Sequence, residues 1–171
     1  HDMNRALLGK WGWGLLSNTN TLCLQVLKAK YLRHSTFLDT EPKSRDSWTW
    51  KGICQTQSLV NKGACKRIGN GRSINIWTDP WVPNFPNFKP PTIGEPKMGF
   101  IFVSDLCYPS GGWNLTKIAQ VFSNNISELI IQLTLPSPLR SDSWFWPINP
   151  NGKFTTKSAY LCDQNHRFTN P

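Results

Sequence analysis

Ten carboxylates, three histidines and five cysteines are the groups from which a catalytic or metal site would have to be built. None of them falls into a reactive pattern. His1 and His166 lie near the chain ends and His34 stands alone, so no acid–base pair is legible. Cys23, Cys54, Cys65, Cys107 and Cys162 are widely spaced and odd in number, which fits neither a zinc ligand set nor a disulfide framework. They read as buried thiols in a reducing compartment. No catalytic residue, metal site or cofactor is expected.

Positive charge is the chemistry that remains. The net charge is +9, and residues 1–75 hold 12 Lys and Arg against 4 acidic residues, whereas residues 76–171 hold 7 against 6. Such asymmetry suits a polyanion, most simply nucleic acid, whose phosphates attract Lys and Arg regardless of base sequence. Lys30, Arg33 and His34 are spaced to share one helix face, with Lys28 elsewhere on the same helix. The competing reading is a solvated flank whose long stems cover the edge of a core.

The elements that must position these groups centre on residues 64–81. Two short alternating runs flank Gly69-Asn70-Gly71 and end in Trp77-Thr78-Asp79-Pro80-Trp81, which predicts a β-hairpin. A three-residue loop with Gly71 as left-handed bulge residue puts Ala64, Ile68, Ile74 and Ile76 on one face. The other face then carries Cys65, Arg67, Ser73, Asn75 and Trp77, a polar, basic and aromatic surface open to a ligand. Alternatively, Trp77 and Trp81 fold over an edge of the core.

Three helices precede this hairpin. The first, Met3 to Leu16, has an apolar side of Met3, Leu7, Leu8, Trp11 and Leu15. It is weakened by Gly9, Gly12 and Gly14, so it either ends near Gly12 or is closely approached there. The second, Thr21 to about Arg33, has Leu22, Cys23, Val26, Leu27 and Tyr31 as its stripe. The third, about Asp46 to Lys62, buries Trp50, Ile53, Cys54 and Val60 and stops at Gly63. Prolines 80, 83, 86, 90, 91 and 96 then make an extended connector, with Phe85 and Phe88 against the core. A strand over Gly99–Leu106 follows, then helices over Trp113–Phe122 and Ser127–Leu133 capped by Asn114 and Ser127. Ser143–Tyr160 forms a second hairpin about Pro150-Asn151-Gly152, and Thr156 caps a last helix. The fold class is α+β: a helical first part, two β-hairpins and short helices joined by the Pro-rich connector. The segments are 1–81, 82–98 and 99–171.

The order of these motifs resembles the plant LINE-type (non-LTR) retrotransposon polyproteins. The resemblance rests on Asn4-Arg5-Ala6-Leu7-Leu8-Gly9-Lys10-Trp11-Gly12-Trp13, on Val26 to Tyr31, on Ile68 to Trp77 with Asp79-Pro80-Trp81, and on Asp142 to Trp146 with Asn151 to Tyr160. It implies a segment between the reverse transcriptase palm and the zinc-binding and ribonuclease H region. The family's polymerase site needs adjacent Asp residues to hold metal, and this chain has none; its ribonuclease H site needs several converging carboxylates. The zinc segment should follow Tyr160, where Cys162 and His166 are half a site at most.

The resulting expectation is a non-catalytic thumb or connection piece that binds RNA or DNA template-primer non-specifically. Lys28, Lys30, Arg33, Lys66, Arg67 and Arg72 would contact phosphates, with Trp77 as base-stacking platform. Its other partners would be the palm and zinc-binding/ribonuclease H segments of the same polyprotein. The alternatives are a decayed structural or interaction remnant and, remotely, a basic ribonuclease using His34. No run approaches the length of a membrane span and no leader is legible, so an intracellular site in cytoplasm or nucleus is expected.

Overall fold

The computed structural model describes residues 2–91 and 98–169, with side chains over 3–91 and 98–164. In chain order the elements are α1 (Asp2–Leu16), α2 (Leu22–Tyr31), α3 (Trp48–Cys54), α4 (Gln57–Gly63), β1 (Cys65–Arg67), α5 (Leu115–Val121), α6 (Asn124–Ile131), β2 (Ser143–Phe145) and α7 (Thr156–Thr169), with 3-10 turns at Pro86–Phe88 and Val103–Leu106. The fold class is α+β, as expected. The chain forms two compact units, one of His1–Ala64 with Phe145–Pro171 and the other of Cys65–Trp144. They do not coincide with the consecutive segments 1–81, 82–98 and 99–171.

The first unit is helical. α1 runs unbroken through its three glycines because the side facing inward is made of small residues. A Cβ on Gly12 would lie 2.7 Å from the Thr56 hydroxyl and 2.8 Å from the Phe37 ring. Ala6 and Leu15 are buried, whereas Met3, Leu7 and Trp11, expected inside, are exposed. The stripe on α2 is corrected in the same way: Leu24 is its buried residue, while Leu22, Cys23 and Val26 face outward. In both helices a close backbone approach, not side-chain size, decides which face is covered. Gly14 belongs to this approach, since its missing Cβ leaves room for Leu24.

The long third helix is in fact two, broken at Gln55-Thr56, where the buried Thr56 hydroxyl donates to the Ile53 carbonyl at 2.7 Å. Trp50, Ile53, Cys54 and Val60 are all buried, as expected. The Trp146 ring occupies the space beside Gly63. α7 closes this unit: Ala159 and Cys162 pack with Ala6, Leu59 and Trp146. The Arg5 guanidinium donates to both Asp163 carboxylate oxygens at 3.2 and 3.3 Å.

The second unit has its core in Ile68, Ile74, Ile76, Trp81, Val103, Leu106 and residues of α5 and α6. Ala64 is buried in the first unit, and here the burial of Ile68, Ile74 and Ile76 and the positive φ of Gly71, +71°, are as the spacing predicts. The hairpin pairing is not. β1 pairs with β2, while the Val103 amide donates to Ile74 O and the Ile76 amide to Ile101 O, each at 2.9 Å. Asn75 bridges Phe102. The Gly99–Leu106 strand is likewise reduced to that bridge and a 3-10 turn, because the Asp105 carboxylate accepts the amides of Ile101 and Phe102 at 2.9 and 2.7 Å.

The second expected hairpin keeps its reversal, with the Trp146 amide donating to Gly152 O at 2.9 Å and Gly152 at φ +67°; its strand is β2, whose partner is β1. The Pro-rich connector is not simply extended: the amides of Trp81 and Val82 both donate to Phe88 O, and Phe85 packs on the core. Residues 92–97, including Pro96, lie outside the described residues. Asn114 caps α5 as expected, its side chain accepting the Lys117 amide at 3.2 Å. The N-cap of α6 is Ser123, not Ser127, and at the start of α7 it is the Thr155 hydroxyl that accepts the Ser158 amide, at 3.1 Å.

Candidate nucleic-acid interface

α2 starts at the N-cap Thr21 and carries no acidic side chain in its first turn. Its own basic residues, Lys28 and Lys30, therefore meet no opposing charge along the helix, which ends at Tyr31, so Arg33 and His34 lie beyond it and do not share the helix face that their spacing predicts. The Lys28 ammonium donates to Asn18 Oδ1, the Lys30 ammonium lies 5.0 Å from the centre of the Tyr31 ring, and Arg33 Nε donates to Ala29 O at 2.7 Å. These contacts hold the stems, and among the described residues no carboxylate forms an ion pair with the three charges. Lys30 and Arg33 are exposed and Lys28 is half-buried. Charge is concentrated around them: the first unit has 12 Lys and Arg against 5 acidic residues, the second 7 against 5.

The candidates in the second unit are placed differently. The Lys66 ammonium donates to Asp79 Oδ2 at 2.7 Å and to Ser73 O at 2.9 Å, and sits 5.4 Å from the centre of the Trp144 ring. It is a neutralised, partly covered structural cation. Trp77 is half-buried, its indole N–H donates to Phe100 O at 2.7 Å, and its ring packs on Phe122. Trp81 is buried, with its N–H donated to Ile76 O. Both tryptophans thus fold onto the core. Cys65, expected on the open face, is buried and its thiol is pushed up to about 12 by burial. Arg67 and Arg72 remain exposed. Of the seven predicted contact residues, three lie in the first unit and four in the second.

Between Gly69 and Ser73 the loop is organised by a group that the local sequence does not announce. Asp142 Oδ1 accepts the amides of Gly69 and Gly71 at 2.7 and 2.8 Å, and Oδ2 accepts the amide and hydroxyl of Ser73 at 3.0 and 2.8 Å. The amides of these alternate residues converge on one point, an arrangement that suits an anion. Here the chain's own carboxylate occupies that point. Burial raises the Asp142 carboxyl, but the amides of Ser73, Gly69 and Gly71 and the Ser73 hydroxyl outweigh it and hold the group below its ordinary value.

Other carboxylates are also committed to structure. Asp79 takes Lys66 and the Asn75 amide, Asp105 caps a turn, and Asp163 holds Arg5. Among the described residues no group of three or more His, Cys, Asp or Glu side chains comes together as a metal site. The side chain of His166 lies outside the described residues, so the Cys162–His166 pair has no geometry to report. Burial also pushes the Cys54 and Cys107 thiols up to about 11 and raises Cys162, which leaves them poor nucleophiles at neutral pH. No described helix is long and apolar enough to cross a membrane.

No protein-family model matches the sequence, and no solved structure matches it. Two curated proteins do, both from Arabidopsis thaliana. The chain is 34% identical over 171 aligned residues, 93% of its length, to a protein named "Putative ribonuclease H protein". It is 29% identical over 79 residues, 46% of its length, to an uncharacterized mitochondrial protein. The chain spans 26% of the first relative's length, and the second match covers 51% of that protein. It is thus similar, along nearly all of its length, to one part of a much longer plant protein that bears a ribonuclease H name.

Proposed function

We propose that this chain is a non-catalytic segment of a plant LINE-type retrotransposon polyprotein. It would lie on the thumb side, between the polymerase and the zinc-binding and ribonuclease H region, and hold template-primer non-specifically. The observation that carries the reading is the end of α2, where Lys28, Lys30 and, two residues past the helix, Arg33 form no ion pair among the described residues, within a unit of strong positive charge. Phosphate contacts of this kind position a nucleic acid without reading its bases. The similarity to a long protein of ribonuclease H name supports the polyprotein context. The structural duties of Asp79, Asp105, Asp142 and Asp163 support the absence of a reaction of its own.

Titration of a fluorescent primer-template duplex with the purified chain tests this at two salt concentrations. Three phosphate contacts correspond to a slope of log K against log salt of about −2 to −3. Replacing Lys28, Lys30 and Arg33 together by Gln should remove most of that slope for every duplex sequence. Affinity that ignores salt, or survives the triple replacement, would sink the proposal.

A second reading, that the piece serves only as an interaction or structural remnant, is favoured by the outward apolar residues of α1 and α2. Leu22 is 78% exposed, and Met3, Leu7 and Val26 are more than half exposed. Its partners would be the palm and zinc-binding segments of the same polyprotein. A folded chain that binds no duplex even at low salt, but binds those segments, would establish it in place of the first.

A further inference from the structure

Trp48 is 85% exposed, whereas Trp50, two residues on, is 1% exposed. At 3.6 residues per turn the two side chains point to nearly opposite sides of α3. The inner one is fixed: the Tyr31 ring stacks on Trp50 with centroids 4.3 Å apart and planes 4° from parallel. The Tyr31 hydroxyl also lies 3.1 Å from the Ser47 hydroxyl, which caps α3 by accepting the Trp50 amide at 3.2 Å. The last turn of α2 is therefore pinned to the first turn of α3. Lys30 and Arg33, which flank Tyr31, and Trp48, which follows Ser47, are held on adjoining elements.

The surroundings are basic. Residues 28–51 hold six Lys and Arg against three acidic residues. Two of those acids are engaged locally, Asp39 by the Thr36 hydroxyl and Asp46 by the Lys43 amide. Arg45 is exposed in that same turn. An open indole face with Arg45 three residues before it in the chain, and with Lys30 and Arg33 on the element joined to α3 through Tyr31 and Ser47, supplies the two kinds of group by which unpaired nucleotides are held, bases stacked on the ring and phosphates on the charges. A purely apolar partner would leave Lys30, Arg33 and Arg45 without a counter-charge.

We propose that Trp48 is a base-stacking platform for single-stranded nucleic acid, with Lys30, Arg33 and Arg45 contacting the flanking phosphates. The inference rests on the nucleic-acid reading above and adds to it a preference for unpaired bases. It moves the stacking role from Trp77, which the core has taken, to a residue whose face is open.

The test uses the full chain and three labelled probes followed by anisotropy at low salt: oligothymidylate, an abasic strand of the same length, and a duplex. Oligothymidylate should bind more tightly than the abasic strand. Trp48→Ala should weaken oligothymidylate roughly tenfold and leave the abasic strand unchanged, with Trp48→Phe restoring most of the loss. If the abasic strand binds as well as oligothymidylate, or Trp48→Ala leaves their ratio unaltered, stacking on Trp48 is refuted while salt-sensitive phosphate binding still stands. If a chain shown to be folded by circular dichroism binds none of the three probes, both proposals fall together.

Discussion

Asp142 concentrates more of the second unit's loop geometry in one side chain than any basic residue does. Its two oxygens accept three amides and a hydroxyl from Gly69, Gly71 and Ser73. Asp142→Ala would leave those donors turned toward an empty space, at a cost of about 2–3 kcal/mol. Urea unfolding of the variant should show the loss, with Arg72→Gln as the exposed control that leaves stability within about 0.5 kcal/mol. The sign of the pH effect follows from the carboxyl being held below its ordinary value of about 3.9. The contribution is present above that value and is lost as pH falls through the lower folded one. Acid titration of the unfolding midpoint should therefore fall less steeply below pH ~4 in Asp142→Ala than in the parent chain.

Among the helices, glycine positions separate packing from propensity. At Gly63 a Cβ would meet the Trp146 ring at 2.1 Å, and that ring is itself fully buried. At Gly52, in the middle of α3, the nearest atom is Leu8 Cδ1 at an ordinary 3.4 Å. Gly52→Ala should thus stabilise the chain by up to about 1 kcal/mol through helix propensity. Gly63→Ala should destabilise it by about 3 kcal/mol or more, because the indole has no low-energy place to move. Thermal melts of the two variants should shift in opposite directions. Both sites are glycines in short helices, and only the neighbour across the gap distinguishes them.

At the scale of the whole molecule, the first unit is assembled from two distant stretches of chain. α7 supplies Ala159, Cys162 and Asp163 to a core begun by α1, and the Ser158 hydroxyl accepts the Trp146 indole N–H at 3.0 Å. A chain ending at Phe154 would expose Ala6 and Leu59 and leave Arg5 without its carboxylate partner. Hydrogen exchange in α1 should then lose most of its protection, while the amides of Ile74, Ile76 and Val103 keep theirs. Equal loss in both sets would show that the units do not stand as separate cores. The same unit holds most of the net charge, so the salt response of the proposed nucleic-acid binding should belong to it.

Local chemistry was legible in the residues themselves. The left-handed turns at Gly71 and Gly152, the cap at Asn114, the burial of Ile68, Ile74 and Ile76 and the basic first half all follow from spacing and residue type. The exposure of Trp48 was implicit too, since burying Trp50 turns it outward. What tertiary structure decided was partnership. That β1 pairs with β2, that Asp142 fills the Gly69–Ser73 loop, and that α1 covers its glycine face instead of its large apolar one depend on groups far away in sequence. Periodicity and turn chemistry act over a few residues and are written there. The choice among distant partners is made by which packing satisfies the most buried donors and leaves the fewest voids, and no short stretch of chain carries that comparison.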